Sequence, residues 1–477
     1  MSKKPKILIL IPDGTGIKNY LLSDFLKFLH QHFNVILAHN FDKSIEPHLS
    51  LSPNHYKKVN IPAYKEKPQH KFYREALCYA RLHYNAKIKN NPSILVNWRR
   101  QFKNLPKKLF YKCVEFYGSY LSKDYSRIKN TTETYHKTIL NCQSINPFLN
   151  LLKQEKPDIV FTTHQRSALN IPLFAAAKQL NITSVSVIYS WDNMPKARIP
   201  YFSDYFMVWS EYMMNEFKDY YPEIDLNRVK VTGTPQFEFY LDSSMIKNKN
   251  DFCNEHNLDT NRPIVCFSGD DRLTSPFDPE YLDDMASHFS LIDESIRPQI
   301  ILRPSPADDG SRFKPVLKKY PDIKFAPADW YESDNQKHWA VKFPKRNDIK
   351  QLVSLTYHAD AVVNVGSTMA HDFAMFKKPA FYLNYNPKLK DFTKMTPHKK
   401  KWNVETIYKY EHFKSMQDLN PVFWINQVND FSKVINKINQ FDENVKRDQK
   451  LWRDKIIGEN LYKDASQNLT HTLKNLN

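Results

Sequence analysis

Glycine is nearly absent from this chain, and what remains of it is placed. Eight glycines serve 477 residues, where about 7 per cent is usual. Gly14 and Gly16 follow the apolar run 6–11, Gly233 follows 229–232, Gly269 follows 264–267 and Gly366 follows 361–365. Glycine tolerates positive φ and lets a ligand approach the backbone closely. Glycine kept mainly at the carboxyl ends of short β-type runs predicts parallel sheets whose rims bind something.

The length predicts two or three domains. With 41% hydrophobic and 14% aromatic residues the chain can bury large cores, and it lacks the composition of a disordered protein. Its formal charge of +18 fits a lysine-rich surface or an anionic partner. Cys78, Cys113, Cys142, Cys253 and Cys266 form no C-x-x-C pair, which excludes the usual zinc and thioredoxin spacings and fits a reducing cytoplasm. The apolar run before Pro12-Asp13 is too short for a signal peptide. No run approaches a membrane-spanning length. The expectation is a cytoplasmic protein, at most peripheral at the inner membrane face.

Residues 1–40 read as strand, glycine loop, amphipathic helix over 17–32 and strand, a βαβ opening. Residues 45–150 break the rhythm and predict a basic helical insert. Between 95 and 130, nine Lys/Arg face two acids, with Trp98, Phe102, Leu105, Leu109, Phe110, Val114, Phe116 and Tyr117 interleaved. Two readings stay open: aromatics packed inward with lysines in water, or a basic amphipathic face on an anionic membrane. No nucleic-acid module is visible. Strand–helix alternation resumes at about 150 and closes near 240. The polar stretch 240–262 predicts a linker. A second alternating series follows to about 420, with strands at 263–267, 299–302, 323–326, 361–365 and 380–383. Residues 421–477 predict a helical tail that packs back on the first domain. The architecture is α/β, with Rossmann-like domains over 1–240 and 263–420.

The sharpest chemistry lies in 360–379. A strand ends at Gly366, Ser367 and Thr368 are natural N-caps, and a helix follows with Asp372 one turn in. Free backbone N–H groups at a helix start cradle anions, and Asp372 is placed to accept hydrogen bonds from ribose hydroxyls. Arg303 ends another predicted strand, and Arg272 follows Gly269; guanidinium forks suit a diphosphate. There is no D-x-D, no H-E-x-x-H and no His/Cys cluster, so neither metal nor cofactor is expected.

Strand, Gly-Ser-Thr, helix with an acid, then Lys-Pro and another strand resembles the donor-nucleotide segment of GT-B-fold glycosyltransferases. Tyr-Ser-Trp-Asp-Asn at 189–193, Val-Thr-Gly-Thr-Pro-Gln at 231–236 and Ile-Leu-Arg-Pro-Ser-Pro at 301–306 are similar to segments of bacterial surface-polysaccharide members. The resemblance spans about 150–385 and the first βα unit. It implies two facing Rossmann-like domains, a nucleotide-sugar donor on the second, and a glycan or lipid-linked acceptor on the first. The sequence departs from the pattern at two places. Retaining members carry two acids eight positions apart, where this chain has Asn364 and Asp372. Polyol-phosphate transferases of the teichoic-acid type carry histidine in a motif like Arg-Pro-His-Pro, where this chain has Ser305. A glycosyltransferase, a CDP-polyol phosphotransferase, a nucleotide-sugar 2-epimerase and a non-catalytic binding protein of this fold all stay open; the insert argues against the epimerase.

An inverting transfer needs a base for the acceptor hydroxyl. The candidates are Asp13, His164 and Asp192, each just past a predicted strand of the first domain. Gly14, Gly16, Trp191 and Asn193 are the acceptor-side candidates, Trp191 by stacking on a sugar ring.

Overall fold

The structure is a computed structural model that describes residues 4–41, 43–98, 104–331, 342–388 and 395–476. The chain divides into two compact units. The first holds Met1–Gln236 and Lys455–Asn477, the second Phe237–Asp454.

The first unit is built on a parallel sheet of seven strands: β1 (Lys6–Leu10), β2 (Asn34–Ala38), β3 (Tyr56–Val59), β4 (Ile159–Thr162), β5 (Thr183–Val187), β6 (Tyr205–Val208) and β7 (Val229–Val231). Their order is β3-β2-β1-β4-β5-β6-β7. β1 and β4 lie centrally and bury their apolar runs on both faces, as strands covered by helices on both sides must. The chain winds outward in one direction from β1 and in the other from β4. The gap beyond their carboxyl ends is therefore the topological switch point, where ligands of such sheets bind.

The second unit repeats the plan with β8 (Ile264–Ser268), β9 (Gln299–Arg303), β10 (Lys324–Phe325), β13 (Ala361–Asn364), β14 (Ala380–Leu383) and β15 (Phe423–Ile425). The order is β10-β9-β8-β13-β14-β15, all parallel, with its switch point between β8 and β13. A short antiparallel pair, β11 (Trp330–Tyr331) and β12 (Phe343–Pro344), lies outside this sheet.

Four local expectations are corrected. The first helix is broken into Ile17–Tyr20 and Phe25–His32; the Ser23 hydroxyl donates to the Asn19 carbonyl and accepts from Phe25 N, ending one segment and starting the next. The basic insert contains β3, an edge strand whose central lysines are exposed, a common guard on sheet edges. The stretch 240–262 is ordered within the second unit: it carries the helix Lys249–His256, and Ser354 Oγ accepts from Lys247 N and donates to the Met245 carbonyl. The tail contains strand β15, and only from Lys455 onward does it group with the first unit, where the helix Ala465–Asn475 packs on Phe25–His32.

The insert is integral to the first unit. Leu77 and Ala80 from the helix Pro68–Ile88, and Ile128, Tyr135 and Ile139 from Tyr125–Leu140, share one core with Leu8, Leu10, Ile36 and Val160. Between them the helix Leu105–Leu121 buries Tyr111, Val114, Gly118 and Leu121. Its opposite face leaves Leu105, Leu109, Phe116 and Tyr120 exposed, Phe116 at 82%. Arg99, Arg100, Phe102 and Lys103 lie outside the described residues.

Candidate active site

The loop leaving β1 runs directly against the end of β4. A Cβ on Gly16 would stand 2.5 Å from Thr163 Cβ and 2.7 Å from the Thr163 carbonyl oxygen, closer than any side chain can come. This approach brings together two residues that the sequence presented as rivals. His164 Nδ1 lies 2.7 Å from Asp13 Oδ2. Asp13 Oδ1 accepts from Thr15 N at 3.0 Å. Burial pushes the Asp13 carboxyl up, but the hydrogen bond and charge of His164, with the Thr15 N–H, outweigh it and hold the pKa below its ordinary value.

His164 is fixed from behind. Asn170 Nδ2 donates to its carbonyl at 2.9 Å, and Thr162 Oγ1 donates to Asn170 Oδ1. Tyr189 meets the imidazole edge-on, with ring centroids 4.8 Å apart. With Asp13 accepting at Nδ1, the neutral ring carries its proton there and its lone pair on Nε2. His164 Nε2 is buried and has no hydrogen-bond partner among the described residues. An oriented imidazole with a free basic nitrogen at a switch point is the arrangement a general base requires. Asn170 sits on a helix eight residues beyond Thr162, and only the fold shows that it steadies His164.

The other candidates on this rim do different work. Asp192 is ion-paired with Lys196 and accepts from Ser190 Oγ at 2.7 Å, both partners within its own turn. Asn193 donates to the Ser190 carbonyl within the same turn. Trp191 is 3% exposed, which leaves its ring almost no open face for a sugar. Gly14 is buried in the 3₁₀ turn Gly14–Gly16.

At the second unit's switch point, Gly366 has φ +65, and a Cβ there would meet Phe413 Cζ at 2.7 Å. Asn364 Oδ1 accepts from Ser367 N at 2.8 Å, and the Tyr382 hydroxyl donates to the Ser367 carbonyl. The helix behind, Met369–Ala374, is shorter than expected, and Thr368 caps it without a side-chain hydrogen bond. Asp372 is buried and accepts from the Tyr240 hydroxyl at 2.6 Å.

Arg303 is not free for a diphosphate. It is 6% exposed, its Nη2 donates to Asp348 Oδ1 at 2.6 Å, and its Nη1 donates to the Pro327 carbonyl. Asp348 also accepts from Asp329 N and Trp330 Nε1, so this is a structural ion pair tying β9 to its neighbours. Arg272 is exposed and bonds Asp309 and Ser311. Asp271 accepts from Leu273 N and the Thr274 hydroxyl, capping its turn. Burial, with the charges of Asp271 and Asp278, pushes Asp270 up to about 7. Sequence reasoning missed Arg312, which is ion-paired with Asp278 and Asp308 beneath this rim. Among the described residues no three His, Cys, Asp or Glu side chains gather as a metal-binding group.

No protein-family model matches the chain, and comparison with curated protein sequences finds no match. Solved structures do match. The chain is similar to the UDP-GlcNAc 2-epimerase of Methanocaldococcus jannaschii, at 13% identity and TM-score 0.53, covering 98% of this chain and 99% of that one. It is similar to a glycosyltransferase from Rickettsia africae, at 11% identity and TM-score 0.51, covering 99% and 98%. It is likewise similar to another UDP-N-acetylglucosamine 2-epimerase, at 8% identity and TM-score 0.52, covering 99% and 95%. At these identities the likeness is one of fold: two Rossmann-like units of the GT-B class, as the sequence resemblance implied.

Proposed function

We propose that the chain is a glycosyltransferase that moves a sugar from a nucleotide-diphosphate donor to a hydroxyl of a cell-surface glycan or lipid-linked acceptor. The observation that carries this reading is the Asp13–His164 pair with its unpartnered Nε2. His164 Nε2 takes the proton of the acceptor hydroxyl. The hydroxyl oxygen bonds to the anomeric carbon, and the bond from that carbon to the diphosphate oxygen breaks. Asp13 stabilises the imidazolium that forms. The Gly366–Ser367 turn and Asp372 are the donor-side groups in this reading, with Arg272 the remaining candidate cation. Arg303 holds their scaffold.

The exposed stripe on Leu105–Leu121 supports an anionic membrane surface as the place where the acceptor is met. Leu105, Leu109, Phe116 and Tyr120 recur at helical spacing, with Lys108 and Lys112 exposed beside them, the pattern of an interfacial helix. Among the described residues no helix is long and apolar enough to cross a membrane.

Screening UDP-, GDP-, CDP- and CMP-linked sugars, with CDP-polyols as a separate arm, tests the reading. A donor that raises the melting temperature and is hydrolysed or transferred, with activity that survives chelation by EDTA, supports it. Turnover of a CDP-polyol alone, or an epimerised nucleotide sugar as sole product, replaces it. Vesicles containing phosphatidylglycerol should bind the wild-type chain and lose a Leu109→Ser/Phe116→Ser variant.

A further inference from the structure

One cavity in the first unit has no part in the proposed reaction. It measures about 40 Å³, and four arginines, Arg74, Arg81, Arg166 and Arg198, line it with Tyr135 and His136. That volume holds roughly three waters, or one tetrahedral oxyanion. No aspartate or glutamate is among the described residues that line it.

The arginines fall into two pairs. Arg74 is held by Glu66 and Glu75, and Arg81 by Glu223, Tyr125 and Thr132; none of these carboxylates is among the described residues that line the cavity. Arg166 makes no hydrogen bond or ion pair among the described residues. Arg198 makes one long hydrogen bond, 3.5 Å to the Asn97 carbonyl. Both are half-buried, and neither meets a carboxylate among the described residues. The Tyr135 hydroxyl is buried and likewise has no partner. Among the described residues, two guanidiniums without a carboxylate partner and an orphaned hydroxyl thus line one cavity, a donor set short of acceptors. Arg166 follows His164 by two residues, within about 7.6 Å along the chain. Arg198 belongs to the loop after β5, which also carries Asp192.

We propose that this cavity binds a phosphate group of the acceptor, as a monoester or diester, and so sets which hydroxyl reaches His164. The forks of Arg166 and Arg198 close on the phosphate oxygens, and the Tyr135 hydroxyl donates to one of them. The word acceptor rests on the glycosyltransferase reading; the anion site does not.

The test is calorimetric titration of the full chain with methyl phosphate. Wild type should bind, and Arg166→Gln/Arg198→Gln should bind at least tenfold more weakly at an unchanged melting temperature. Tyr135→Phe should also bind more weakly, with a melting temperature equal to or above wild type, because the variant loses an unsatisfied buried hydroxyl; a merely structural tyrosine would lower it. Phosphatidylglycerol vesicles that displace methyl phosphate would identify a lipid headgroup as the source, and vesicles without effect a glycan phosphate. Equal binding by wild type and the double variant, or no binding by wild type, overturns the proposal. Nucleotide-sugar turnover is followed on the same samples. Absent turnover with intact anion binding overturns the glycosyltransferase reading alone.

Discussion

Asp13→Asn is the smallest change that separates orientation from presence at the proposed base. The amide keeps the size of the carboxylate but cannot hold an imidazolium, so turnover should fall by about 10²–10⁴, as should that of His164→Ala. The melting-temperature shift given by the donor should persist, because donor contacts are assigned to the other unit. A loss of donor binding in Asp13→Asn would count against the assignment. Arg303→Met should behave in the opposite way. It removes one partner of a buried ion pair with Asp348, so the second unit should lose about 3–5 kcal/mol in urea unfolding. Both residues were visible in the sequence as polar side chains at strand ends. Asp13 and His164 lie 151 positions apart, and nothing local shows that their strands are neighbours. Arg303 invited a phosphate because Asp348, 45 positions on, is invisible to local reading.

At the scale of elements, the turns after β1 and β13 depend on the absence of one methyl group. Gly16→Ala should drive the β1 loop away from Thr163, separate Asp13 from His164, and cost roughly 1–3 kcal/mol. Activity should fall further than stability alone explains, which paired turnover and melting measurements would show. The central strands were legible because each is a short apolar run ending at a glycine or a turn. β3 was hidden because its Tyr-Lys-Lys-Val run is half-polar, and β15 because three residues are too short a run to set a strand apart. The stretch 240–262 was misread for a related reason. Its polarity is real, but Ser354 and His358 satisfy its backbone from within the second unit.

Across the whole molecule, two sets of buried groups pull stability in opposite directions with pH. Burial, helped by the charge of Lys58, pushes His39 down to about 4. Burial, helped by Arg453 and His412, pushes His371 down to about 3. Below the ordinary histidine value of about 6.5 the unfolded chain takes up protons that the fold refuses, so stability falls as pH drops from there to about 4 for His39 and about 3 for His371. Asp270 and Asp278 are raised, to about 7 and about 6, chiefly by burial. Their contribution is full below the ordinary carboxylate value of about 3.9 and is lost as pH rises to about 7. Asp270→Asn should therefore stabilise the chain by roughly 1–3 kcal/mol at pH 8 and leave it unchanged at pH 4, as melting curves across that range would report. One feature of the chain path bears on its synthesis. The first unit includes Lys455–Asn477, so its leading 236 residues emerge from the ribosome with the face of Phe25–His32 uncovered and must wait for the second unit to be made. A fragment of residues 1–236 should bind the dye ANS through that face. A synthetic peptide of residues 455–477 should suppress the signal by supplying the late-made helix in trans.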